Sequence, residues 1–157
     1  MIFLGIVIVI AGGYWIWDRF FSDAGRARRQ VAQYEKAEKE YIAAATADTY
    51  GGKTPQDTLD LFVAALKKGD VELAHKYFLL DEAASREKWF AYLKEVKAKN
   101  LLDKMANDIL LRAKTDLENR INENDFKFVL YDNNGDVGAR INMQFNSYAK
   151  VWKIESL

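Results

Sequence analysis

Three short stretches of this chain carry residue types that can do chemistry. Ala47-Asp-Thr-Tyr-Gly-Gly-Lys-Thr54 fits a relaxed phosphate-loop pattern, with Ala in place of the first glycine of G-x-x-x-x-G-K-[ST]. That chemistry needs a strand before the loop and a helix after it whose first amides meet phosphate. Here a charged, helix-like segment precedes the loop. Pro55 removes one amide and pushes Thr54 out of helical backbone, and no later strand ends in an acid suited to magnesium. The sequence argues against a nucleotide site. Asp132-Asn-Asn-Gly-Asp136 has a calcium-like composition. An EF-hand loop counted from Asp132 would want Gly where Val137 stands and Glu where Met143 stands. A hairpin turn explains it better.

His75 is the single histidine, and there is no cysteine. One imidazole makes no metal cluster, and thiolate chemistry has no nucleophile. His75 is expected on the exposed face of a helix; no cofactor and no metal are expected. Five aromatics, Tyr77, Trp89, Tyr92, Tyr131 and Trp152, are the candidates for a pocket or contact surface, although their spacing also suits core positions.

The elements that must hold these residues are legible as periods. Residues 26–45 read as a charged helix in which Val31, Tyr34, Tyr41 and Ala45 fall near heptad spacing, with Glu38 interrupting the seam. Residues 46–53 read as a linker. Thr54, Pro55 and Asp57 supply an N-cap, an N1 proline and an N3 acid for a helix over 55–68. Leu59, Phe62, Val63 and Leu66 form its apolar face, and Gly69 stops it. A second helix over 71–79 follows the Asp70 cap. Ser85 opens a third, with Trp89, Phe90, Leu93 and Val96 inward. Residues 101–113 read as a fourth, with Leu101, Leu102, Met105, Ile109 and Leu110 as its stripe.

The period then changes from helix to strand. Residues 126–131, 137–145 and 151–155 read as strands, the second with Val137, Ala139, Ile141, Met143 and Phe145 on one face. A short fourth strand is expected near 117–121. The fold class is α+β: about four helices packed on a C-terminal antiparallel sheet of three to four strands.

Residues 1–17 are an almost unbroken apolar run ending in Tyr14, Trp15 and Trp17, with Asp18 and Arg19 after it. As a helix the run spans about 26 Å, slightly short of a hydrocarbon core of about 30 Å. The aromatics suit the headgroup belt, and the charges close the span. The expected organisation is a membrane anchor over 1–17, a juxtamembrane helix and linker over 18–53, and a domain over 54–157. Arg19, Arg26, Arg28 and Arg29 all follow the span, which by the positive-inside rule puts the domain in the cytoplasm. Basic and acidic residues number seven and six in 18–53, and sixteen and seventeen in 54–157. That balance gives no electrostatic case for nucleic acid.

The stretch from Thr54 to Phe78, TPQDTLDLFVAALKKGDVELAHKYF, resembles the opening of the nuclear transport factor 2-like superfamily. The closing VWKIESL, 151–157, is similar to its last strand. Bacterial extracytoplasmic members often follow an anchor, so the resemblance implies an extracytoplasmic domain, against the arginines. It also implies a curved sheet wrapped by helices around a cone-shaped pocket. Two helices over 85–116 replace a strand of the usual pattern, and a smaller or filled pocket is expected. The leading functional expectation is a single-span membrane protein presenting a non-enzymatic ligand- or protein-binding domain to an envelope partner. The alternatives are an isomerase- or dehydratase-like enzyme, with a carboxylate facing a tyrosine in a dry pocket, and a structural subunit self-associating through residues 1–45.

Overall fold

Thr54 and Asp57 cap each other reciprocally. Thr54 Oγ1 accepts from the Asp57 amide at 3.1 Å, and an Asp57 carboxylate oxygen accepts from the Thr54 amide at 3.0 Å. Such a cap is worth about 1 kcal/mol, and it fixes where the first helix of the domain begins. The computed structural model describes residues 23–80, 85–115 and 122–157. The proposed anchor, with Tyr14, Trp15, Trp17 and Arg19, lies outside the described residues. Among the described residues no helix is long and apolar enough to cross a membrane.

The helices are α1 (Asp23–Ala47), α2 (Pro55–Lys67), α3 (Val71–Ala74), α4 (Ser85–Ala98) and α5 (Leu102–Arg112), with a 3-10 turn at His75–Tyr77. The strands are β1 (Ala113–Thr115), β2 (Asp125–Tyr131), β3 (Val137–Asn146) and β4 (Val151–Ser156). They form an antiparallel sheet in the order β1-β2-β3-β4. The protein is therefore α+β, with helices preceding an antiparallel sheet. The chain divides into two compact units, one ending at Ala44 and the other running from Ala45 to Leu157. The domain thus begins nine residues before Thr54, the start expected from the cap, and absorbs the stretch read as a linker.

Two glycines explain why that stretch belongs to the domain. A Cβ on Gly51 would stand 2.3 Å from the Trp152 carbonyl oxygen, and one on Gly52 would stand 2.2 Å from Asp57 Cβ. Only glycine lets the backbone approach this closely. Gly52 then hydrogen-bonds the outer edge of β4: its carbonyl accepts from the Trp152 amide at 2.9 Å, and its amide donates to Thr58 Oγ1 at 2.8 Å. The buried Thr58 hydroxyl passes the connection on to the Trp152 carbonyl at 3.0 Å. Further along the same edge, Leu79 donates to the Ile154 carbonyl at 2.7 Å. Gly51-Gly52 is a packing device for the sheet edge, which is the physical content of the phosphate-loop look-alike.

The core joins the inner faces of α2, α4 and α5 to the sheet. Leu59, Phe62, Val63 and Leu66 of α2 are buried as expected, with Leu93 and Val96 of α4 and Leu102 and Ile109 of α5. Ring contacts knit it together: Phe62 meets Phe78 edge-on at 5.6 Å, and Phe78 stacks on Trp89 at 5.2 Å.

Several expectations are corrected. Leu101 and Leu110, placed on the α5 stripe, are exposed, and so are Val137 and Ala139. For β3 the reason lies in the register: Leu130 pairs with Ala139 but Tyr131 pairs with Val137, so the extra residue at this bulge puts Val137 on the other face of the sheet, while Ala139 stays opposite Leu130 at the exposed outer end of the strand. The stretch 117–121, where a short fourth strand is expected, lies outside the described residues; the fourth strand of the described sheet comes earlier in the chain. It is β1, formed directly after α5 by pairing Ala113 with Leu130 and Thr115 with Phe128. In the turn, Asp132 Oδ1 accepts from the Asn134 and Asp136 amides at 2.8 and 2.9 Å, so this carboxylate holds the hairpin together.

Candidate functional site

Two places in the domain depart from an ordinary core and surface, and they do so in opposite ways. The first is a cluster of buried charge. Period-2 alternation turns Lys153 away from Trp152 and Ile154, its core-facing neighbours on β4, yet it is fully buried. Its Nζ donates to Asp48 Oδ1 at 2.9 Å, to the Tyr50 carbonyl at 2.7 Å and to the Lys76 carbonyl at 2.6 Å. Asp48 is the first residue after α1, and its other oxygen pairs with the Arg86 guanidinium from α4. Arg86 also donates through Nε to the Phe78 carbonyl at 2.9 Å. Burial pulls the Lys153 ammonium down from 10.5 to about 8, against the opposing pull of Asp48 and with a smaller push from Arg86. Two cations thus share one carboxylate, and backbone carbonyls solvate the remaining charge. The lysine is sealed from solvent, so its lowered value is a cost of burial, and the cluster is structural.

The second place is a groove of about 810 Å³ between α4, α5 and the outer part of β2–β3. Trp89, Tyr92 and Val96 line it from α4, and Met105 and Ile109 from α5. Leu130, Ala139 and Ile141 form the sheet wall. The amphipathic geometry of α4 and α5 explains the lining: residues three and four apart share a face. On the sheet side the groove meets the small side chain of Ala139, which is exposed. Against the expected smaller or filled pocket, the described residues leave an open groove of this size.

Charge on the groove wall is uneven. Lys88, Lys104 and Arg140 border the groove with one acidic side chain, Asp108, and with Leu157; strand alternation turns the Arg140 side chain to the sheet face opposite Ala139 and Ile141. Asp108 accepts from Lys104 at 2.9 Å and lies 3.6 Å from Arg112 Nε. The Lys104 hydrogen bond, helped by both positive charges, holds the Asp108 carboxyl below its ordinary value. Lys88 and Arg140 have no ion pair or hydrogen bond among the described residues.

Of the five candidate aromatics, the structure brings Trp89 and Tyr92 together in the groove, edge to face at 5.7 Å. Tyr77 and Trp152 are buried core residues. Burial raises the Tyr77 hydroxyl, with Tyr50 and Asp70 adding to it. Tyr131 lies at the end of β2 with Lys114 Nζ 5.5 Å from its ring centre. His75 is not an exposed helix residue: it is half-buried on the 3-10 turn, its ring 4.3 Å from that of Phe90, and its Nδ1 is buried without a hydrogen-bond partner. Sequence reasoning missed Asp48, Arg86 and Lys153 altogether, and missed the wall residues Lys88 and Arg140.

Comparison with family models, with curated proteins and with solved structures yields no match.

Proposed function

We propose that this chain is a single-span membrane protein whose apolar residues 1–17 hold a binding domain of nuclear transport factor 2-like type near the bilayer. The domain binds a ligand or partner in the groove between α4, α5 and the sheet, without turning it over. One observation carries this reading: apolar side chains at the centre of a site-sized, open groove. The isomerase-like alternative needs a desolvated carboxylate facing a tyrosine. The groove carboxylate, Asp108, is ion-paired and lowered, the wrong direction for proton transfer near neutral pH.

The absence of native cysteine makes the groove testable by single-thiol labelling of the full chain. A thiol introduced by Ala139→Cys is expected to react with maleimide more slowly in membranes than in purified, delipidated protein. A thiol introduced by Leu61→Cys, exposed on α2 outside the groove, should react at one rate in both. Equal ratios at the two positions would sink the reading. The side of the membrane is tested with an epitope tag after Leu157: protease removing it from intact spheroplasts places the domain outside, as we propose. Survival until lysis places it inside, as the arginines would have it.

A further inference from the structure

We infer that the sheet face turned away from the helices docks on anionic phospholipid headgroups through Lys114, Lys127 and Arg140, with Tyr131 and Val137 entering the interface beside them. This rests on the membrane reading above and adds to it the surface that meets the bilayer and the lipid class it takes. The register places the three cations. Residues directly opposite in an antiparallel pair share a face. Lys114 of β1 stands opposite Val129 of β2, and Val129 stands opposite Arg140 of β3. Lys127 lies two residues before Val129 on the same strand, hence on the same face. Two strand spacings put the Lys114 and Arg140 backbones about 10 Å apart, with Lys127 about 7 Å along β2 from the row between them. Phe128, Ile141 and Met143 point the other way, into the core. Lys114 and Arg140 are exposed and Lys127 is half-buried. None of the three takes part in an ion pair or a hydrogen bond among the described residues. Lys114 Nζ lies 5.5 Å from the Tyr131 ring centre, so its side chain reaches along this face.

Three like charges around one valine repel one another, and the nearby acids are spent elsewhere. An Asp125 carboxylate oxygen accepts from Asn122, and Asp132 Oδ1 accepts from two amides of the hairpin turn. Asp136 lies in the same turn, past the Tyr131–Val137 pair. An external anion relieves the repulsion with charge-assisted hydrogen bonds. Its kind follows from the neighbours. Tyr131 and Val137 stand opposite each other on this face, 36% and 45% exposed. A nucleic acid or an acidic peptide would meet the cations and gain nothing from Val137. A bilayer interface takes the whole set: the aromatic and aliphatic side chains at headgroup level, the cations against phosphate. Basic and acidic side chains number 23 each over the chain, so the attraction is confined to this patch and fades within about 10 Å at 0.1 M salt. A patch of three cations is weak on its own, each multiplying contact with an anionic surface about fivefold. It suffices for a domain that an anchor already holds close, where docking is intramolecular.

The test uses the full chain with a thiol introduced by Val137→Cys and labelled with a polarity-sensitive dye. The labelled protein is mixed with nanodiscs of phosphatidylcholine, alone or containing phosphatidylglycerol. Co-elution with the neutral discs reads the anchor, and the dye reads the face. A blue shift is expected with the anionic discs and not with the neutral ones. The ratio of docked to undocked protein should fall about fivefold with each of Lys114→Gln, Lys127→Gln and Arg140→Gln, and high salt should abolish the shift. The charge-keeping variant Lys114→Arg/Lys127→Arg should retain it. The same dye at Leu61→Cys, on α2, should give one spectrum in both kinds of disc. Equal spectra at Val137→Cys in the two kinds of disc, a shift that survives all three glutamines together, or an equal shift at Leu61→Cys overturns the docking face and leaves the anchor standing. Failure to co-elute with neutral discs overturns the anchor alone, because added anionic discs still report on the face. A shift produced by a single-stranded oligonucleotide or by polyglutamate, and not by anionic discs, overturns the lipid assignment in favour of that polyanion.

Discussion

Around Asp48 the protein buries charge, Lys153 completely and Arg86 in large part; along the groove between α4 and α5 it leaves apolar side chains open to solvent. Both arrangements are costly, and they differ in what offsets the cost. At Asp48 the offset is internal, since every donor on Lys153 meets an oxygen supplied by the fold. At the groove none of the described residues covers Tyr92 or Leu101, which are 46% and 43% exposed. A buried polar group and an exposed apolar surface are the two informative departures from ordinary folding. Here the first organises the molecule and the second leaves an apolar surface open to solvent.

The sharpest way to break this contrast is Asp48→Ala. It leaves Lys153 and Arg86 buried without a counter-charge and is expected to cost about 3–5 kcal/mol, read as a lower urea midpoint. A loss below about 1 kcal/mol would mean the cluster behaves like a surface pair. Next comes Gly51→Ala, which drives a methyl into the Trp152 carbonyl and should cost roughly 1–3 kcal/mol by the same measurement.

Lys153→Met should cost less than the loss of Asp48, because the carboxylate keeps Arg86. Its diagnostic is pH. Lys153 binds its proton less tightly in the fold, at about 8, than in the unfolded chain near 10.5, so across that interval the unfolded state carries more protons. Stability should therefore gain from this group as pH rises from about 8 to 10.5, and the penalty is fully present below about 8. The gain is the difference between the unaltered chain and Lys153→Met; Tyr77 titrates in both and drops out. An identical pH profile in the two proteins would refute the assignment. The smallest effects belong to the groove: Leu101→Ser and Arg140→Ala should each change stability by no more than about 0.5 kcal/mol in the same melts. A larger loss would show that the groove holds the fold together.

Legibility in the sequence follows the range of the interaction. α2 was readable because its cap, its proline and its apolar face all lie within one helix. The β2–β3 hairpin was readable as a turn between two alternating runs. β1 was not: Ala113-Lys-Thr115 looks like a helix end, and only pairing with β2 makes it a strand. Alternation predicted an inward face for Val137 and Ala139, but it cannot foresee the bulge that pairs Val137 with Tyr131 and Ala139 with Leu130, and so sets the two on opposite faces. The Asp48 cluster spans 38 residues to Arg86 and 105 to Lys153. No local pattern joins them, and a lysine at an alternate strand position reads as solvent-facing. Two groove aromatics were among the candidates because aromatics are worth noticing anywhere. The groove itself is a gap between elements, and a gap has no residue to announce it.

The joint at the end of α1 has a mechanical meaning. Ala45–Asp48, where the domain begins, is held at three distant anchorages. Asn146 Nδ2 grips the Ala45 carbonyl at 2.8 Å, while Asp48 pairs with Lys153 on β4 and Arg86 on α4. The end of β3, the edge strand β4 and the fourth helix are thereby joined to one short stretch of chain, so Ala45–Asp48 cannot leave the sheet edge without also giving up its hold on α4.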